Sequence, residues 1–298
     1  MANFANSTLL VTGASGHLGR KAVESLLARG AKRVVAMTRS PDKLKDLAAK
    51  GVEVRAGSFD DPASLDAAFK GIDRLLLIST DAVGVPGGRK AQHIRGIDAA
   101  ERAGVGYIAY TSLTAPYPSA DPASVVPDDH FWTEARLAAG KADWSSLRNN
   151  LYTEGILQSA GAAIASGKLY HAQGTAGRAS VAHDDAAEAA AGALLLGESK
   201  RIYDVGGPAA VTQAEVAAIL SRLSGRSIEA VALSGEDFRA GLRAAGVPEA
   251  FVGIAAQFDI DTAQGYHAIV TDAVEQLTGH KPRSVEDVLV ANAAKLAA

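Results

Sequence analysis

Three glycines at a spacing of three, Gly13, Gly16 and Gly19, stand between a short apolar run, Thr8 to Val11, and a run with helical spacing, Arg20 to Ala28. A phosphate-binding turn needs glycines in such a place. Gly13 lets the chain turn sharply, Gly16 lets the backbone approach a pyrophosphate, and Gly19 lets the helix lie close to the strand. The helix N-terminus then offers free N–H groups and a partial positive charge to the phosphates. The spacing is G-x-x-G-x-x-G rather than the commoner G-x-G-x-x-G, and a glycine triplet also suits a purely structural turn. The strand before it and the helix after it favour dinucleotide binding. Arg39 stands at the end of a second apolar run, Arg33 to Thr38, about 20 residues past the last glycine, where NAD-preferring proteins carry an acid. An acid there repels a ribose 2′-phosphate, whereas an arginine attracts it. NADP(H) is therefore the expected cofactor, against the alternative of a solvated arginine at a strand end.

The acid–base chemistry is less defined. None of the seven tyrosines is followed four positions later by lysine, so alcohol–ketone interconversion through a tyrosine–lysine dyad is disfavoured. Ser112, beside Thr111, is placed either to bond a substrate carbonyl or merely to end a strand. Asn149, Asn150 and Tyr152 follow another strand and are the better candidates for touching nicotinamide or substrate. The seven histidines show no metal-ligand spacing. His130 is read as opening a helix near the cleft, which makes it a candidate ligand contact or proton donor. His183-Asp184-Asp185 reads as a helix cap. No Gly-x-Ser-x-Gly nucleophile context is present.

These residues need elements to hold them. Strand-like runs at 8–11, 33–38, 52–56, 74–80, 106–110 and 144–147 alternate with helical patterns at 20–28, 40–50, 62–69, 90–103 and 130–140. Strands alternating with helices imply a parallel sheet that binds ligands at the carboxyl ends of its strands. The glycine turn, Arg39, Ser58-Phe59 (where an adenine is expected to pack), Ser79-Thr80 and Thr111-Ser112 then share one edge. Asp81 to Gly88 and the proline-rich Thr114 to Asp129 read as loops. Beyond 150 the pattern loosens into short strands at 168–171, 178–181 and 202–205, with helices at 184–196, 212–223, 235–245, 248–262, 271–279 and 284–294. The expected fold class is α/β: a Rossmann-type doubly wound parallel sheet over residues 1–150, then a smaller α+β lobe over 151–298, mainly substrate-binding, with some segments returning to the main sheet.

The composition suits this reading. The 298 residues are 48% hydrophobic and 21% charged, ample for a sizeable core. A formal net charge of -3 provides no basic field for nucleic acid. The absence of cysteine excludes disulfides and thiolate chemistry. Met1 to Asn6 has no cationic start or long apolar run, so no signal peptide is read, and no run reaches membrane-spanning length. A cytoplasmic location is expected.

Thr12 to Gly19, Arg39 with Ser40-Pro41, Gly51 to Gly57, Leu75 to Ser79, Ala109 to Leu113, Leu147 to Tyr152 and Leu277 to Gly279 with Pro282 together resemble the NmrA-like atypical short-chain dehydrogenases. Within them the chain is most similar to the flavin-free type 2 NAD(P)H:quinone oxidoreductases and the triphenylmethane dye reductases. The resemblance implies an NADPH-dependent, flavin-free hydride donor to a quinone-like or other planar, electron-poor acceptor. Matched residue by residue, Gly13, Ser15, Gly16, His17 and Leu18 would contact the pyrophosphate and Arg39 the 2′-phosphate. Ser79 and Thr80 would pass near the ribose. Thr111-Ser112 and Asn149 to Tyr152 would lie near nicotinamide and acceptor. Two departures stand out. Many members carry an acid where this chain has Ser58, although Phe59 can still pack, and many carry a lysine at the position of Ala135. The family also includes NADP(H)-binding redox sensors without catalysis, and a reductase of a specialised carbonyl or aromatic metabolite using Tyr152 or His130 as acid is a third reading. A homodimer is left open.

Overall fold

Alternation along the first strand decides the layers. Leu10 points to one face of the sheet, while Leu9 and Val11 point to the other, and all three are fully buried. A strand apolar on both faces belongs inside a parallel sheet covered by helices on both sides. The computed structural model describes residues 6–83, 85 and 87–296. Met1 to Ala5, over which no signal peptide was read, and positions 84 and 86 of the expected 81–88 loop lie outside the described residues.

The strands are β1 (Thr8–Val11), β2 (Arg33–Thr38), β3 (Glu53–Ala56), β4 (Arg74–Leu77), β5 (Tyr107–Leu113), β6 (Asp143–Asn149), β7 (Lys168–His171), β8 (Gly177–Arg178), β9 (Arg201–Val205), β10 (Val211–Thr212) and β11 (Glu229–Ala232). The first helices are α1 (His17–Ala28), α2 (Lys45–Ala49), α3 (Pro62–Phe69), α4 (Gly88–Arg102), α5 (Val125–Ala138), α6 (Ile156–Ser166) and α7 (His183–Leu196). Then follow α8 (Gln213–Ser224), α9 (Gly235–Ala244), α10 (Glu249–Ala263), α11 (Ala273–Thr278), α12 (Val285–Ala291) and α13 (Ala293–Leu296).

Seven strands form one parallel sheet in the order β3-β2-β1-β4-β5-β6-β9. The order reverses between β1 and β4, which opens the crevice where doubly wound sheets bind ligands. On one face Leu9, Val11, Ala36, Leu76 and Ala109 pack under α1, α7 and α11. On the other, Leu10, Val35, Met37, Leu75, Leu77 and Tyr110 pack under α3, α4 and the end of α5. A third core joins α6, α8 and α12 through Ala160, Leu169, Val216, Leu220, Ile228 and Leu289. Near it β7 pairs with β11 in parallel, while β8 pairs with β10 antiparallel.

Several elements differ from the sequence reading: β10 and β11 had no strand assigned, and β8 is only Gly177–Arg178 where a strand over 178–181 was expected. The α5 helix begins at Val125, five residues before His130, although Pro122 and Pro127 had marked this stretch as loop. Pro127 sits in its first turn, where a missing N–H costs no hydrogen bond. His130 therefore lies inside the helix rather than at its start. The α6 helix, rich in small residues, had no assigned pattern. The α1 helix begins at His17, so Leu18 and Gly19 belong to its first turn.

Candidate active site

The phosphate turn is held by backbone hydrogen bonds and by the hydroxyls of Thr12, Ser15 and Thr38. Gly13 takes the left-handed conformation at φ +59°, and its carbonyl accepts the Gly16 N–H at 2.9 Å. A Cβ on Gly19 would lie 2.4 Å from that same carbonyl oxygen, so only glycine lets α1 start this close to β1. The Thr12 side chain donates to Leu76 O at 3.2 Å and accepts the Ile78 N–H at 2.9 Å, tying the turn to the end of β4. Ser15 Oγ accepts from Thr38 Oγ1 at 2.9 Å. No acid occupies the first turn of α1, which leaves its positive end open to an anion. Arg39 is exposed at the end of β2, and among the described residues it makes no hydrogen bond or ion pair. Its guanidinium is free for a phosphate. Ser58 is half-buried past the end of β3, and the Phe59 ring next to it turns inward. A Cβ on Gly96 of α4 would meet Phe59 Cε1 at 2.7 Å.

The ends of β4, β5 and β6 bring the other candidates together. Thr111 Oγ1 accepts the Ser79 N–H at 2.8 Å, and Asn149 O accepts the Thr114 N–H at 3.0 Å. Asn149 Nδ2 points at Tyr152 Oη, 3.4 Å away. Asn150 turns away, its Nδ2 donating to His267 O and its Oδ1 capping the Leu151 N–H. The Tyr152 ring stands 4.1 Å from that of His183, which is 5.2 Å from that of His17 in the phosphate turn. Burial raises the Tyr152 phenol above its ordinary range, so it keeps its proton at neutral pH. Thr80 Oγ1, Ser112 Oγ, Thr114 Oγ1 and Asn149 Oδ1 are buried here without a hydrogen-bond partner. Such orphaned atoms are costly unless something arrives to satisfy them.

Behind them runs a buried network that sequence spacing did not reveal. Arg89, in the first turn of α4, donates from Nε to Thr80 O at 2.7 Å and from Nη2 to His130 Nε2 at 3.0 Å. The Thr80 N–H donates to His93 Nε2 at 2.9 Å. With both Nε2 atoms accepting, the ring protons sit on Nδ1, and both Nδ1 atoms face Tyr110 Oη, at 2.7 Å for His130 and 3.2 Å for His93. Burial, reinforced by the Arg89 charge, holds both histidines well below their usual pKa, so they are neutral. His130 is thus enclosed with both nitrogens engaged. Nearby, Glu134 binds Arg148 at 2.7 Å and Ser146 at 2.6 Å, while Ala135 faces outward.

The expected cap at His183 is supplied differently. Ala182 is the N-cap of α7, and the carboxylate of Glu154 accepts the His183 N–H at 3.1 Å. Asp184 instead binds Lys21 at 3.0 Å and His17 at 3.2 Å. A cavity of about 430 Å³ lined by Thr8, Lys32, Arg33, Gly51, Arg55 and Lys70 opens at the amino ends of the strands, opposite the ligand edge, and has no part in this site.

A parallel doubly wound sheet with a glycine turn at its switch point defines a dinucleotide-binding protein. The chain belongs to the NAD(P)H-binding family, whose model matches residues 13–194. It is 36% identical over 274 residues to Quinone oxidoreductase 2 of Escherichia coli K12, spanning 91% of this chain and 94% of that protein. The crystal structure of the Escherichia coli NADPH-dependent quinone oxidoreductase complexed with NADPH superposes with a TM-score of 0.88 at 33% identity, over 96% of this chain and 99% of that one. The Citrobacter sp. triphenylmethane reductase complexed with NADP(H) superposes with a TM-score of 0.85 at 32% identity, over 95% of this chain and 100% of that one. No described helix is long and apolar enough to cross a membrane.

Proposed function

We propose that this protein is an NADPH-dependent oxidoreductase that passes hydride to a quinone or another planar, electron-poor acceptor without a flavin. The observation that carries the reading is the set of buried, partnerless atoms Thr80 Oγ1, Ser112 Oγ and Asn149 Oδ1 on three adjacent strand ends, facing a phosphate turn that is already complete. The names of the relatives support the same chemistry. When bound, NADPH supplies the hydride. The Gly13–Gly19 turn, with Ser15, His17 and Leu18, cradles the pyrophosphate, and the free Arg39 guanidinium selects the 2′-phosphate. Phe59 and Ser58 flank the adenine, and Ser79, Thr80 and Thr111 border the ribose.

Ser112 and Asn149 orient nicotinamide and acceptor, so that proximity and alignment supply most of the acceleration. Tyr152, kept protonated by burial and hydrogen-bonded to Asn149, delivers a proton to the reduced acceptor. His130 has no free nitrogen and positions this site through Arg89. Residues 151–298 supply most of the acceptor lobe. The cysteine-free chain suits a cytoplasmic setting, and pairing into a homodimer is a separate proposal read by sedimentation. The test is NADPH oxidation with a panel of quinones. Turnover above background supports the reading. Tight NADPH binding with no turnover of any acceptor replaces it with a redox sensor.

A further inference from the structure

Arg89 is 6% exposed and has no ion-pair partner among the described residues. Two of its nitrogens are committed, Nε to Thr80 O and Nη2 to His130 Nε2. The third, Nη1, is buried without a partner. Burying a guanidinium N–H with no hydrogen-bond partner is costly, so the fold has left this donor unsatisfied. Asp129, also buried with both carboxyl oxygens partnerless, makes no hydrogen bond or ion pair with it; burial pushes the Asp129 pKa up, and the Arg89 charge opposes that rise from a distance. The neutral His130 and His93 add no charge of either sign. Thr80, which anchors the guanidinium, has its own hydroxyl unsatisfied, and it follows Ser79, whose N–H is held by Thr111 beside Ser112. The Arg89 charge also reaches Tyr152, favouring its ionised form against the effect of burial.

We propose that Arg89 is the electrostatic residue of the acceptor subsite, stabilising the oxyanion that hydride transfer creates. The inference rests on the reductase reading above. A quinone that accepts a hydride at one carbonyl oxygen gains an O–H bond there. The displaced electron pair comes to rest on the other oxygen as an anion, and one proton completes the hydroquinone. Tyr152 passes that proton on, and solvent replaces it. A fixed cation beside the second oxygen needs no reorganisation as the charge develops, and this is the source of its effect.

The experiment titrates the NADP+-loaded protein with 4-nitrophenol, whose anion mimics the oxyanion and absorbs at a distinct wavelength. Wild type is expected to hold it as the phenolate. Arg89→Met should weaken phenolate binding and lower kcat by about 100-fold, with the KM for NADPH within about threefold and Arg89→Lys within about tenfold of wild type. If Arg89→Met does not fold, Arg89→Gln and Arg89→Lys carry the comparison: binding kept with the charge and lost without it supports the assignment. Phenolate binding by Arg89→Gln or Arg89→Met equal to that of wild type overturns it, as does a loss confined to NADPH affinity. If wild type turns over no quinone yet phenolate binding still follows the charge at 89, the reductase reading fails while the anion subsite stands.

Discussion

The phosphate turn and the ends of β4, β5 and β6 lie on one edge of one sheet, yet they are built differently. At the turn, geometry is a property of the main chain. Gly13 supplies a positive φ, Gly16 closes a backbone hydrogen bond, and Gly19 removes a Cβ that would strike Gly13 O. At the strand ends, geometry is a property of side chains converging from α4, α5, β5 and β6, and several of their polar atoms are left unsatisfied. The first region is finished before any ligand binds. The second leaves buried polar atoms without partners, and on the proposed function those atoms await a ligand.

Substitutions can break this contrast, and the largest effect is expected where the backbone leaves no room. Gly19→Ala should cost about 3 kcal/mol and lower Tm by about 5 °C, with NADPH binding lost. Calorimetry and fluorescence titration read both, and an unchanged Tm would show that the turn can shift. Arg39→Glu tests the cofactor end without touching packing. Replacing a charge-assisted phosphate contact by repulsion should move the NADPH-over-NADH preference by about 100-fold, measured as the ratio of kcat/KM values, with Tm unchanged.

A smaller effect should appear in the pH dependence of stability. His93 and His130 have folded pKa values depressed below their unfolded value. Below about pH 6.5 the unfolded chain binds protons that the folded chain does not, so stability falls as pH falls, by about 1.4 kcal/mol per pH unit for each histidine. Urea unfolding between pH 6.5 and 5 should therefore show a slope that His130→Gln reduces by one such increment. An unaltered slope would mean that His130 is not held neutral. The smallest and most diagnostic change is Ser112→Ala. Removing a buried hydroxyl with no partner should raise Tm by about 2 °C while kcat falls about tenfold. A variant that is both less stable and fully active would contradict the idea that Ser112 is reserved for a ligand.

Much of the cofactor end was legible from residue types. Glycine spacing after an apolar run, and an arginine at the next strand end, carry their meaning locally. The strands up to β6 were found close to their observed limits, and β9 lies beside β6 in the same sheet. The acceptor end was legible only as a set of strand-end polar residues. Ser112, Asn149 and Tyr152 do converge there. Asn150, equally polar and adjacent in sequence, is consumed by His267 O and Leu151, and no local signal separates it from Asn149. Pro127 read as a loop marker because a proline in a first helical turn looks like a proline in any loop, and that displaced His130 from its true place inside α5.

Alternating apolar strands, turn glycines and a strand-end arginine were sufficient for the class of fold and the cofactor, because each acts through the backbone or a near neighbour. The network joining Arg89, His93, Tyr110 and His130, the capping of α7 by Glu154 and the isolation of a buried guanidinium required the folded chain. These depend on side-chain contacts, to other side chains or to backbone N–H groups, between residues 13 to 41 apart, whose meeting is set by helix packing and burial, not by any spacing along the sequence.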